Sequence, residues 1–156
     1  MTERQDSWDL EVKPHLTPIF AYGAAVLIIA AHVVVGLLLK VGSTGVIFRT
    51  YDQVAIAMVG VVIAGFVVLF ARPRLRVGPK GVAVRNLFGY RVFPWSEVVG
   101  VSFPIGARWA RLDLPDDEYV PVMAIQAVDK ARAVDAMDRV RAAVHRYHRD
   151  VNGYRP

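Results

Sequence analysis

The sequence predicts two membrane-spanning helices joined to a small α+β domain in which antiparallel strands are closed by one C-terminal amphipathic helix. Three observations carry this. Leu16 to Leu39 and Val54 to Phe70 contain no Asp, Glu, Lys or Arg; at roughly 1.5 Å per helical residue they reach about 36 and about 26 Å, against a hydrocarbon core of about 30 Å. After Arg72-Pro73 the pattern changes to short alternating segments divided by glycine and proline, which is the period of strands. From Asp129 it changes again, to the period of a helix.

Composition and charge place these elements. The absence of cysteine excludes disulfides, thiolate catalysis and Cys-ligated zinc or iron–sulfur centres. The net charge of +5 conceals an asymmetry: residues 1–70 hold four basic and five acidic residues, and residues 71–156 hold fifteen and nine. Arg72, Arg74, Arg76, Lys80, Arg85 and Arg91 form a run without Asp or Glu directly after the second apolar stretch, and such a run marks the cytoplasmic side. Two crossings return the N-terminus to that side. The expectation is an inner (plasma) membrane protein with both termini cytoplasmic and Lys40 to Asp52 as a short external loop. A cleaved signal peptide fits poorly, because the first apolar run is too long for an h-region and acidic Glu3, Asp6, Asp9 and Glu11 precede it.

Residues 1–15 show no clean period and meet Pro14 and Pro18 where a helix should begin, so they read as an irregular cytoplasmic tail. Trp8 suits either the membrane interface or a place on the soluble domain. Residues 16–72 form the two-helix hairpin. Ala21 and Ala25 in the first span, and Gly60 and Ala64 in the second, give each helix a small-residue face for close packing. His32 is the titratable side chain well inside a span; with no second polar residue to relay a proton, a hydrogen bond to backbone or to a partner helix is its plain role.

Residues 73–150 form the soluble domain, and 151–156 a short tail. Arg74 to Val77 and Val82 to Leu87 alternate around the turn Gly78-Pro79-Lys80-Gly81, a β-hairpin. Tyr90 to Pro94 and Val98 to Phe103 are two more strands separated by Trp95-Ser96-Glu97. Arg108 to Leu114 and Tyr119 to Ile125 flank the acidic turn Pro115-Asp116-Asp117-Glu118. A helix of about twenty residues follows, with Asp129 as its N-cap and Val134, Met137, Val140, Val144 and Tyr147 on its buried face.

Within this outline, Arg76-Val77-Gly78-Pro79-Lys80-Gly81-Val82, Val84-Arg85-Asn86-Leu87-Phe88-Gly89 and above all Pro94-Trp95-Ser96-Glu97-Val98-Val99-Gly100-Val101 resemble the bacterial PH (pleckstrin-homology-like) domain pattern. Joined to a two-helix hairpin, the chain is similar to small actinobacterial membrane proteins of the low-molecular-weight protein antigen type. The resemblance implies a PH-like antiparallel sheet or partly open barrel with one C-terminal helix, acting as a membrane-anchored binding or scaffolding module. It supplies no catalytic residue to carry over.

The expected function is therefore recognition, by a cytoplasm-facing domain, of a protein partner or of anionic lipid headgroups. The alternative is an accessory subunit of a larger membrane complex, a transport or respiratory assembly, in which the hairpin makes the contact. A membrane protein complex or a homo-oligomer is the expected setting. Arg74, Arg76, Lys80, Arg85 and Arg91 are the candidate lipid- or partner-binding residues, since a basic residue close to an acidic leaflet contributes about 1 kcal/mol. Trp95 is read as structural core, covering one end of the sheet.

Other constellations are weaker. His145 and His148 stand at i, i+3 with Asp150 nearby but without a third ligand in register. Asp116, Asp117 and Glu118 lack the spacing of a calcium loop. No phosphate-binding glycine loop, Gly-x-Ser-x-Gly or His-Glu-x-x-His occurs. The expectation is no catalysis, no metal or other cofactor and no nucleic-acid partner.

Overall fold

The computed structural model describes residues 8–39 and 49–151, without the side chains of residues 150 and 151. The chain divides into two units: residues 1–16 together with 72–156, and residues 17–71.

The second unit is a pair of helices, α1 (Leu16–Leu38, whose first residue belongs to the other unit) and α2 (Thr50–Val68), the latter continued by a 3₁₀ turn, Leu69–Ala71. Both are long and apolar enough to cross a membrane. The small residues singled out in the sequence face inward: Ala21 and Ala25 on α1 and Gly60 and Ala64 on α2 are buried, as is Gly36 of α1, while Phe20, Leu27, Met58 and Phe66 are exposed. Helices that meet through small residues and turn large apolar ones outward suit a lipid surround. His32 donates from Nδ1 to the carbonyl of Ile28 at 2.8 Å, the backbone hydrogen bond expected of it. Of the expected external loop, residues 40–48 lie outside the described residues. Its end is helical: α2 starts at Thr50, and Arg49 N–H donates to the Asp52 carboxylate at 2.8 Å, satisfying a donor at the helix start.

Among its described residues the first unit contains seven strands and one α-helix. β1 (Leu10–Val12), β2 (Arg74–Gly78), β3 (Gly81–Arg85) and β4 (Tyr90–Phe93) form one antiparallel sheet in that order; β5 (Gly100–Ser102), β6 (Trp109–Asp113) and β7 (Tyr119–Gln126) form a second. The six strands expected between Arg74 and Ile125 are present. β1 is not an irregular tail. Leu10 pairs with Val77, Glu11 with Arg76 and Val12 with Leu75, Asp9 N–H donates to the Val77 carbonyl, and Val12 is buried. The partner strand supplies the order that three residues cannot show as a period. Trp8, just before β1, is half-buried. The apolar helices are therefore an insertion between two neighbouring strands of one sheet.

Leu75, Val77, Val82 and Val84 from the first sheet meet Leu112, Val122 and Ile125 from the second, with Met137, Val140 and Val144 of α3 (Ala131–Val151) closing the core. The expected helix face is corrected at one position: Val134 is 62% exposed, and Ala133, Ala136 and Ala143 complete the buried stripe. Asp129 is not the cap of this helix either. It lies in a 3₁₀ turn, Ala127–Asp129, and its carboxylate accepts from the backbone N–H groups of His15 at 3.1 Å and Leu16 at 2.9 Å.

Two local devices hold the sheets in place. Gly81 has φ 130°, and a Cβ there would lie 2.0 Å from the Phe93 carbonyl oxygen, so the β2–β3 turn requires glycine. Asn86 bridges the sheets: its Nδ2 donates to the Pro121 carbonyl at 2.7 Å, and its Oδ1 accepts from Met123 N–H at 3.2 Å.

Candidate anion site on the sheet face

Strand alternation decides which basic side chains share a face. Leu75 and Val77 of β2 point into the core, so Arg74 and Arg76 point away from it. In register, Arg74 stands opposite Arg85 and Arg76 opposite Ala83, while Arg85 stands opposite Tyr90. Arg74, Arg76, Ala83, Arg85 and Tyr90 line one hollow of about 170 Å³. Three of the five basic candidates are thus brought together around a small floor with a phenol at its rim.

The other two are placed elsewhere. Lys80 sits in the turn at the far end of the β2–β3 hairpin. Arg91 is opposite Val84 and so lies on the other face, with its guanidinium 5.1 Å from the Phe93 ring centre. It lines a different, mostly apolar hollow with Val84, Leu87, Phe88 and Tyr119.

The basic hollow has a counter-ion that residue spacing did not reveal. Glu11, from β1, places Oε1 3.4 Å from nitrogens of both Arg74 and Arg76, and Lys13 Nζ at 3.5 Å from the same oxygen. Partial burial of Glu11 favours its neutral form. The charges of Arg76, Lys13 and Arg74, with a hydrogen bond from Arg76, outweigh that and hold its pKa below the ordinary carboxylate value. Tyr90 also escaped sequence reading as a site residue, because its place depends on the β3–β4 register. The chemistry offered is that of fixed guanidinium groups with one displaceable carboxylate, suited to a phosphate or carboxylate ligand.

Trp95 is core, as expected. It is buried, donates from Nε1 to the Gly78 carbonyl at 3.1 Å, stacks on Tyr147 with ring centres 4.9 Å apart, and meets His148 edge-on at 5.7 Å. Tyr147 in turn hydrogen-bonds to the Asp9 carboxylate, tying the N-terminal segment to α3. His148 is therefore held against an indole. Among the described residues no group of three or more His, Asp or Glu side chains is placed to hold a metal. Asp116 and Asp117 adopt φ 59° and 58° in the β6–β7 turn, a left-handed pair that a tight hairpin turn demands.

The family model described as a bacterial PH domain matches residues 72–143. That match begins at the end of the helical insertion and does not include β1. Uncharacterized proteins of Mycobacterium bovis and Mycobacterium tuberculosis are each 64% identical to this chain over 151 residues, covering 97% of it and 98% of the relative. No solved structure matches.

Proposed function

Because this chain belongs to the bacterial PH domain family, we propose that it is a membrane-tethered binding module, and that the outer face of its first sheet recognises an anionic lipid headgroup on the cytoplasmic side of the plasma membrane. The observation that supports this is the grouping of Arg74, Arg76 and Arg85 around one hollow, with the carboxylate of Glu11 standing where a ligand anion would. Arginine forks hold phosphate oxygens in fixed geometry. Helices joined to both β1 and β2 keep the domain at the bilayer, so the headgroup orients and loads the module and is not needed for targeting. The module works by binding, without catalysis.

The test is purification of the full-length chain in mild detergent with mass spectrometry of the lipids and proteins that accompany it. Wild type retains anionic lipid, and the combined Arg74→Gln, Arg76→Gln, Arg85→Gln variant loses it while keeping its fold. An identical lipid complement in both overturns the reading. A stoichiometric protein partner, retained by both, replaces it with the accessory-subunit alternative.

A further inference from the structure

The β3–β4 loop carries an exposed aromatic at the end of the domain from which the membrane helices depart. Phe88 is 85% exposed, the second most exposed large apolar side chain of the described residues after Ile105 in the β5–β6 loop. It does not sit on a slack loop. Asn86 N–H donates to the Gly89 carbonyl at 2.9 Å, closing the turn, and the Asn86 side chain is pinned to Pro121 and Met123 of the other sheet.

The position of this tip follows from register alone. β1 and β2 are antiparallel, with Val12 opposite Leu75, so the outgoing chain after Val12 and the incoming chain at Arg72 lie at one end of the sheet. Arg74 is opposite Arg85, so β3 ends at that same end and its loop continues beyond it. Two residue steps lead from Arg72 to Arg74, one interstrand step crosses to Arg85, and three more residue steps lead to Phe88. At no more than about 3.6 Å per residue and about 5.5 Å per step, Phe88 lies within roughly 23 Å of Arg72 at the very most. Ile105 has no such constraint, since β5 and β6 carry neither tether.

The chemistry around the tip fits a bilayer surface. Arg85 precedes it, Tyr90 and Arg91 follow it, and Tyr119, half exposed, lines the hollow beside it. Aromatic rings flanked by arginines are the composition favoured at the headgroup layer, where the ring reaches the acyl boundary and guanidinium groups stay with phosphates. The acidic residues Asp116 to Glu118 lie in the turn before Tyr119 and are exposed.

We infer that Phe88 is a membrane-inserting wedge: the Asn86–Gly89 loop dips its phenyl ring into the interface of the same bilayer that the two helices cross, fixing the orientation of the domain on an anionic leaflet. The inference rests on the membrane reading above, and Arg85 and Tyr90 are shared with the lining of the basic hollow.

The chain contains no cysteine, so single-cysteine labels report without further substitution. Full-length Leu27→Cys, Phe88→Cys and Lys80→Cys variants, each carrying a polarity-sensitive fluorophore, are placed in nanodiscs of phosphatidylglycerol and phosphatidylcholine containing doxyl-labelled lipid. The label at 27 is blue-shifted and quenched by lipid; that at 88 behaves the same way, more so as phosphatidylglycerol increases; that at 80, in the turn at the opposite end of the hairpin, reports water. A label at 88 as water-exposed as that at 80, with 27 in lipid, overturns the wedge and leaves the membrane reading intact. A label at 27 in water overturns both.

Discussion

Glu11 stands directly opposite Arg76 in the β1–β2 ladder, and its Oε1 lies 3.4 Å from the Arg76 guanidinium. The same oxygen is 3.4 Å from Arg74. A strand that precedes the membrane helices thus supplies the counter-charge for arginines that follow them, and an anionic ligand has to compete with it. Glu11→Gln is expected to strengthen binding of an anionic headgroup by roughly two- to five-fold, the range of an exposed ion pair. Acid has a related effect. The folded pKa of Glu11 lies below its ordinary 4.5, so its stabilising contribution is present above about that pH and is lost as pH falls through the folded value. Protection of the Leu10–Val12 amides, taken relative to their intrinsic exchange rates at each pH, should fall below about pH 4.5 in wild type. In Glu11→Gln that pH dependence should be flattened; an unaltered profile would show that Glu11 does not hold β1.

Trp95 joins three parts of the domain: the β2–β3 turn through Gly78, α3 through Tyr147 and His148, and the strands on either side of its own 3₁₀ turn. Trp95→Ala removes a buried ring from a packed site and should cost about 3–5 kcal/mol. Trp95→Phe retains a ring against Tyr147 but leaves the Gly78 carbonyl without its donor, a smaller loss of about 1 kcal/mol. Limited proteolysis of the full-length chain in detergent separates the two, with the domain cleaved early in Trp95→Ala and the helices still protected. Equal resistance in wild type and Trp95→Ala would remove Trp95 from the core.

Asn86 is the polar link between the sheets. Asn86→Leu keeps the volume but strips the Pro121 carbonyl and the Met123 N–H of their partners. Half-buried groups left unsatisfied cost about 1–3 kcal/mol, so the thermal midpoint of the domain should fall by several degrees. Asn86→Asp, which keeps the acceptor for Met123 but sets a carboxylate against a carbonyl oxygen, should also be less stable than wild type. A midpoint unchanged in both variants would mean that the sheets are held at this corner by packing alone.

The elements that read directly from the sequence are those whose information is local. Leu75, Val77, Val82 and Val84 alternate within their own strands, and the spans announce themselves by length. β1 was illegible because Leu10, Glu11 and Val12 are too few to show a period and their partner is more than sixty residues away. The fate of Arg91 was illegible for a different reason. Arg85 and Arg91 both belong to one basic run, yet the β3–β4 register sets Arg85 against Tyr90 and Arg91 against Val84, and one residue of register decides the face. Asp129 looked like a helix cap by residue type; the donors it serves, at His15 and Leu16, are distant in sequence. Long-range partners, not propensities, separate the basic run into a site and a remainder.

Gly60 sets how closely the two apolar helices approach. A Cβ at this position would lie 2.7 Å from both Cβ and Cγ of His32, atoms fixed close to the α1 backbone and further restrained by the His32 hydrogen bond to Ile28. Neither can swing aside, so Gly60→Ala must push the helices apart, at about 1–3 kcal/mol. Gly65 on the same helix has open space around it. Gly65→Ala should be neutral or stabilising, by up to about 1 kcal/mol from helix propensity. Unfolding of the full-length chain by SDS, followed by helical circular dichroism, should place Gly60→Ala below wild type and Gly65→Ala at or above it. The pair Gly60→Ala with His32→Gly supplies the decisive comparison: removing both Cβ and Cγ of His32 makes room for the new methyl, so the double variant should recover stability that Gly60→Ala lost. If the two losses simply add, the helices do not meet through His32 and Gly60.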